Sequence, residues 1–154
     1  MEIIPEEVAM DPVRLLRTIS ECKVTVLQIV PSLLRAMLPE IAHAPQRLAS
    51  LRWLIPTGEA LPPTLVRDWF VLCPRIPLLN AYGSSECSDD VAHDPITEAP
   101  GEAVVNMPAG RPIGNVRMLV LDSQLQPVPI GVEGELYVGG ACVGRGYLHD
   151  PERT

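Results

Sequence analysis

No stretch of the chain is apolar for long enough to cross a bilayer, and the N-terminus lacks the basic-then-apolar pattern of a secretory leader. Membrane partners are therefore not expected, and a cytoplasmic location is the default. Basic residues are scarce: 12 Lys plus Arg stand against 19 Asp plus Glu, for a net charge of −7. They are scattered singly and form no stripe that would neutralise a phosphodiester backbone, which argues against nucleic acid as a partner. The four cysteines, Cys22, Cys73, Cys87 and Cys142, form no Cys-x-x-Cys pair and read as reduced thiols. His43, His93 and His149 share no metal-ligand spacing, so a zinc centre is not expected. There is no internal repeat and no low-complexity tract.

What the chain does have is apolar mass and proline. With 47% hydrophobic residues over 154 positions it can bury a real core. Its 17 prolines fall where turns and helix starts belong. Asp11-Pro12 reads as the cap and first position of a helix through about Cys22, with Val13, Leu16 and Ile19 on one face. A strand over 25–30 follows. A second helix is expected from Ser32 to about Ala42, its apolar stripe made by Leu33, Leu34, Met37, Leu38 and Ile41. Next come a strand over Trp53–Pro56, a helix over 62–72 and a strand over 77–81. Trp53 and Trp69 lie on these elements and read as packing residues. Strand–helix alternation of this kind implies an α/β fold with a mostly parallel sheet. From about residue 110 the pattern changes to two alternating strands, Val116–Leu121 and 135–138, around a Pro/Gly-rich turn region: a hairpin.

The segment richest in chemistry is Asn80-Ala81-Tyr82-Gly83-Ser84-Ser85-Glu86. Pro77-Leu78-Leu79 before it is short and apolar, and would deliver it as a polar turn from a buried strand end, where open α/β sheets bind ligands. Tyr82 offers a flat ring for a base, Asn80 an amide that donates and accepts, and Gly83 a close backbone approach. Ser84, Ser85 and their N–H groups suit phosphate oxygens, and Glu86 is a hard oxygen ligand suited to Mg²⁺. The same residue types also build ordinary surface turns, so the heptapeptide alone leaves both readings open. The nucleotide reading requires Tyr82 and Glu86 to face one shared cavity.

Taken with three further segments, the chain resembles the adenylate-forming enzymes, specifically the amino-acid-activating adenylation domains of nonribosomal peptide synthetases. Their signature in this region runs Asn-x-Tyr-Gly-Pro-Thr-Glu. Here Ser84 replaces the proline, which loosens the turn, and Ser85 keeps the hydroxyl of the threonine. Trp53-Leu54-Ile55-Pro56-Thr57-Gly58-Glu59-Ala60-Leu61 is similar to the family's strand and Gly-Glu-Ala-Leu turn. Gly110-Arg111-Pro112-Ile113-Gly114-Asn115 is similar to its entry into a small β-rich subdomain. Gly134-Glu135-Leu136-Tyr137-Val138-Gly139-Gly140-Ala141-Cys142-Val143-Gly144-Arg145-Gly146-Tyr147-Leu148 resembles its Gly-Glu-Leu and Ala-Arg-Gly-Tyr motif, with Gly144 in place of the usual Ala. Arg145 in this turn reads more readily as a structural or surface residue than as a catalytic one.

The resemblance implies a partial acetyl-CoA synthetase-like fold, with an α/β part over 1–109 and the start of a β-rich subdomain over 110–154, truncated at both ends. It implies ATP or AMP held by Gly58, Glu59, Ala60, Asn80, Ala81, Tyr82, Gly83, Ser84 and Ser85. Ser85 and Glu86 would be catalytic, with Glu86 carrying Mg²⁺. The side-chain pocket for the amino acid would be lined by Gln28, Ile55, Thr57, Ala81, Asp89 and Asp90, while the acid that pairs with the substrate ammonium lies outside the chain. A buried carboxylate needs a counter-charge or takes up a proton, so two acids here point to a basic substrate, a short diamino acid such as 2,4-diaminobutyrate ahead of ornithine, lysine or arginine, unless both are solvated loop acids flanking Ser88. On an extended strand adjacent residues face opposite ways, so only one of Asp89 and Asp90 reaches the ligand unless the backbone turns. The family's phosphate loop, its ribose-binding Asp and its C-terminal domain with a catalytic Lys are not among these residues. The chain is thus expected to be inactive alone, its partners being the rest of a synthetase polypeptide with a carrier protein and a C-terminal subdomain. Acyl- or aryl-CoA ligases share the Tyr-Gly-x-Ser/Thr-Glu turn and stand as an alternative, as does a non-enzymatic nucleotide-binding module.

Overall fold

A computed structural model describes residues 4–154. A short helix α1 (Glu6–Ala9) leads into α2 (Pro12–Glu21). The expected cap is present: Asp11 Oδ1 accepts from the N–H groups of Val13 at 3.0 Å and Arg14 at 3.1 Å, and Pro12 fills the first helical position. The buried stripe is Leu15, Leu16 and Ile19. Val13 was expected on this face but is exposed, because each residue turns the helix by about 100° and Val13 falls to the margin of that stripe.

Strand β1 (Val26–Ile29), helix α3 (Pro31–His43), strand β2 (Trp53–Pro56), helix α4 (Pro63–Leu72) and strand β3 (Leu78–Ser84) follow. They build the expected parallel part of the sheet, β1 beside β2 beside β3. Strand-to-strand crossovers of this type are right-handed, and here each new strand is added on the same side, so the intervening helices fall on one face. The core reflects this. Leu27, Ile29, Leu54 and Leu78 point toward α2, α3 and α4 and join Leu16, Leu34, Met37, Ile41, Leu65, Val66 and Trp69 in a single cluster. Trp69 is fully buried, with its indole N–H donating to the Ile76 carbonyl at 2.8 Å. Leu33 and Leu38, expected in the α3 stripe, pack at the edge of the cluster. The opposite face of the sheet carries Gln28 and Ile55, which no helix of the described residues covers. All four cysteines are free; burial pushes the Cys73 thiol up to about 11.

Beyond Ala81 the structure departs from expectation. The strand does not stop there but runs on to Ser84, so most of the heptapeptide is strand, and the turn is a short 3₁₀ segment, Ser85–Cys87. The chain then returns antiparallel as β4 (Asp89–Ile96), which nothing in the apolar pattern announces. Asp, His and Pro make a poor strand by propensity; its pairing with β3 overrides that. Pro95 lies outside the two residues, Ala92 and His93, that pair with β5 (Arg111–Pro112), so its missing N–H costs no bond on that side. The sheet is therefore mixed, with order β1-β2-β3-β4-β5 and three of its five strands parallel. The expected hairpin forms a second sheet from β6 (Val116–Leu121) and β7 (Glu135–Gly140).

The β3–β4 pair has a bulge. Its register shifts between Tyr82, opposite Ala92, and Gly83, opposite Asp90, which leaves Val91 as the extra residue. At this point the backbones nearly touch: a Cβ on Gly83 would sit 1.5 Å from the Asp89 carbonyl oxygen. Only glycine fits. We expect Gly83→Ala to force the hairpin apart and to cost about 2–4 kcal/mol, the range of severe steric substitutions, read as a lower urea midpoint with an unchanged slope. A midpoint within error of the unmodified chain would contradict the close approach.

Candidate functional site

Three groups of residues gather at the C-terminal ends of the parallel strands. The first is on the uncovered face. Gln28 and Ile55 are register partners on β1 and β2, Ala81 lies on β3, and Thr57 follows β2. Asp89 and Asp90 both reach them, but Asp89 is exposed and Asp90 only half-buried, so the burial on which the counter-charge argument rests does not hold for Asp89. Gln28 Nε2 donates to Asp89 Oδ2 at 3.4 Å, and Thr57 Oγ1 donates to Asp90 Oδ1 at 3.5 Å. The backbone turn that this needs is present: Ser88 and Asp89 have φ of 58° and 81°, and the bulge follows directly. Sequence reasoning missed His93, whose Nε2 donates to Asp90 Oδ2 at 3.0 Å. Residues three apart on a regular strand face opposite ways, so Asp90 and His93 share a face only because Val91 is bulged. His93 pairs across the sheet with Ala81 and with Arg111, which continues the row away from Gln28.

The second group lines a cavity of about 380 Å³ bordered by Gly58, Glu59, Ala60 and Leu61 on one side and Asn80, Ala81, Tyr82 and Gly83 on the other. Tyr82 is 43% exposed, so its ring is open to this space. Asn106, Met107 and Ala109 close a third side, and no sequence pattern pointed to them. Two of the expected contacts are committed elsewhere. The buried Asn80 amide donates to the Pro108 carbonyl at 2.7 Å, which ties that loop to β3 and leaves the side-chain oxygen as its acceptor. The Glu59 carboxylate accepts from the Ser32 N–H at 2.9 Å and from its hydroxyl at 2.8 Å. This satisfies the start of α3, whose own N-cap, Val30, has no side-chain oxygen. Both carboxylate oxygens of Glu59 are thus engaged by Ser32 although the residue borders the cavity.

The third group is Ser85 and Glu86, both exposed, on a neighbouring cavity of about 360 Å³ shared with Val143, Gly144, Gly146, Tyr147, Arg153 and Thr154. The Gly144 N–H donates to the Glu86 carbonyl at 2.7 Å, and the Tyr147 hydroxyl donates to Glu86 Oε1. That hydroxyl, then the backbone and Ser84, hold the Glu86 carboxyl below its ordinary pKa, while the carboxylate raises that of Tyr147. Tyr82 and Glu86 thus line two adjacent cavities that divide along Gly83–Ser85, not the single one required from the sequence; Ser84 lines neither. Among the described residues no cluster of three or more His, Cys, Asp or Glu side chains is assembled for a metal. One exposed carboxylate beside a hydroxyl instead suits Mg²⁺ that arrives with phosphate oxygens as its other ligands.

A family model described as AMP-binding enzyme matches residues 1–148, and the chain belongs to that family. Phosphinothricin tripeptide synthetase PhsB of Streptomyces viridochromogenes is 44% identical over 137 residues, which cover 89% of this chain and 11% of that protein. Enterobactin synthase component F of Escherichia coli is 36% identical over 151 residues, covering 94% and 11%. A crystal structure of the nonribosomal peptide synthetase FmoA3 bound to α-methyl-L-serine-AMP superposes with a TM-score of 0.87 at 28% identity, over 97% of this chain and 17% of that one. Within the AMP-binding enzymes, the chain corresponds to part of an adenylation domain of nonribosomal peptide synthetases. It spans between 2% and 11% of the length of the curated relatives it matches.

The split role of Glu59 is testable. Glu59→Ala removes both acceptors from Ser32 and is expected to cost about 1 kcal/mol, the typical value of a lost helix cap, read by chemical denaturation. An unchanged stability would mean that the carboxylate is free to serve the cavity instead.

Proposed function

We propose that this chain forms the nucleotide-facing side and the side-chain end of the amino-acid pocket in an adenylation reaction. In that reaction a substrate carboxylate oxygen attacks the α-phosphorus of ATP, pyrophosphate leaves, and an aminoacyl-AMP forms. One observation carries the reading: Gly58–Leu61 and Asn80–Gly83, far apart in sequence, border one cavity into which the Tyr82 ring opens. In this reading the nucleotide spans both cavities across Gly83–Ser85, which replaces the single shared cavity expected from the sequence: Tyr82 stacks on the base in the first, while in the second Ser85 donates its hydroxyl to phosphate oxygens and Glu86 would hold Mg²⁺, which when bound offsets charge on the phosphates. Such chemistry rests on positioning and charge stabilisation, and the cationic groups it needs would come from parts of the relatives outside the matched region. In this reading residues 1–109 are the pocket-bearing part and 110–154 the start of a β-rich subdomain. The remaining synthetase polypeptide, with a carrier protein and a C-terminal subdomain, is the partner, in the cytoplasm. We expect AMP to bind the chain and Tyr82→Ala to weaken it about tenfold, measured calorimetrically, in line with about 1–3 kcal/mol per stacked base. Amino-acid-dependent pyrophosphate–ATP exchange should stay at the level of Glu86→Gln. AMP affinity indifferent to Tyr82, or exchange well above that variant, would each refute its part of the reading.

For the substrate, the unequal partners of the two acids support a basic side chain. Asp90 is engaged by His93 and Thr57, whereas Asp89, exposed to solvent, meets among the described side chains only the neutral amide of Gln28. Asp89 is therefore the acid that a substrate ammonium would neutralise, with one distal amino group, as in 2,4-diaminobutyrate. In an adenylation domain carrying this segment, Asp89→Asn should lower kcat/KM for 2,4-diaminobutyrate about tenfold relative to leucine, as a charged hydrogen bond of roughly 1.5–3 kcal/mol allows. A domain that prefers leucine or phenylalanine before the substitution would rule the pairing out.

A further inference from the structure

The Gly144–Leu148 stretch is among the chain's most distinctive sequences, yet the proposed chemistry gives it no task. In the structure it grips Glu86 at two points. The Gly144 N–H holds the Glu86 carbonyl at 2.7 Å, and the Tyr147 hydroxyl holds one carboxylate oxygen, Oε1. Nearby, the Ser88 hydroxyl donates to the Cys142 carbonyl at 3.0 Å, which fastens the same two segments together on the far side of the turn. Tyr147 is itself anchored, since its N–H donates to Thr154 Oγ1 at 3.0 Å. The departure at Gly144 bears on this grip: a Cβ there would lie 3.0 Å from the Glu86 carbonyl oxygen, closer than ordinary packing. Without these contacts Glu86 would be a long, exposed side chain on a short turn, free to sample many rotamers.

We propose that Tyr147 is a positioning residue for Glu86: by occupying Oε1 it fixes the carboxylate so that the second oxygen is presented toward a nucleotide-borne divalent cation. The proposal rests on the reading of Glu86 as the cation ligand and extends it to a residue 61 positions away in the chain. Carboxylates that ligate metals are oriented by hydrogen bonds from a further layer of residues, and loss of such a partner typically weakens metal affinity by about 10- to 100-fold. Tyr147 supplies that layer from the Gly-rich segment that follows the second sheet, so the cation site is complete only when this segment is docked on the Ser85–Cys87 turn.

The test compares the affinity of an adenylation domain carrying this segment for ATP with Mn²⁺ and with EDTA; the ratio of the two is the gain due to the metal. Tyr147→Phe should shrink that gain by about 10- to 100-fold, toward the value for Glu86→Gln, while the affinity in EDTA stays as it was. Tyr137→Phe deletes a comparable phenol–carboxylate bond, Tyr137 to Glu135 at 3.1 Å, away from the site and should leave both values unchanged. A gain that survives Tyr147→Phe overturns the proposal. So does a loss of affinity that is equal with and without metal, which marks a merely structural role. An unmodified domain that binds ATP in EDTA but gains nothing from Mn²⁺ refutes the cation role of Glu86 while sparing the nucleotide cavity. In that complete domain, no ATP binding under either condition refutes the nucleotide reading itself, and the proposal with it.

Discussion

The near-contact of two backbones at Gly83 and Asp89 organises the rest of the site. Because residue 83 has no side chain, β4 can return within touching distance of β3, and the register absorbs the strain of the tight turn as a bulge at Val91. With the positive-φ turn at Ser88 and Asp89, that bulge decides which residues share a face, bringing Asp89, Asp90 and His93 toward Gln28 on β1 and Thr57 just after β2. It also sets where the Ser85–Cys87 turn projects, and hence where Glu86 meets Tyr147. A one-atom difference at one position thus propagates to both groups of side chains.

The layout of the sheet explains why room exists for those groups. With the crossover helices on a single face, the apolar core is confined to one side, and the other side of β1–β3 remains available for polar side chains. Strand ends leave backbone groups unpaired and backbone turns accessible, so pockets at this end of an α/β sheet follow from the architecture. The 380 Å³ cavity sits there, between the Gly58–Leu61 turn and β3.

Several side chains at the site hold the scaffold instead of facing a ligand. Asn80 spends its amide on Pro108, Glu59 its carboxylate on Ser32, and Tyr147 its hydroxyl on Glu86. Each bond joins segments distant in sequence at the rim of a cavity. Such bonds place the backbone of the cavity walls, and a ligand that fits those walls meets groups already oriented. A residue type suited to ligand contact is therefore not evidence that its side chain makes one.

The sequence by itself determined the α/β class, the capped α2, the strand–helix alternation through α4, the β6–β7 hairpin and the membership of the four motifs in one family. Those follow from local rules, apolar period, caps and turn residues, which act over a few positions. What it left undetermined depends on pairing between distant segments. The strand character of β4, the bulge that puts Asp90 beside His93, the division of the expected single cavity into two, and the Glu86–Tyr147 bond were decided only in the tertiary structure. Register and hydrogen-bond partnership across 61 residues are set by the packing of whole strands, and no local pattern encodes them.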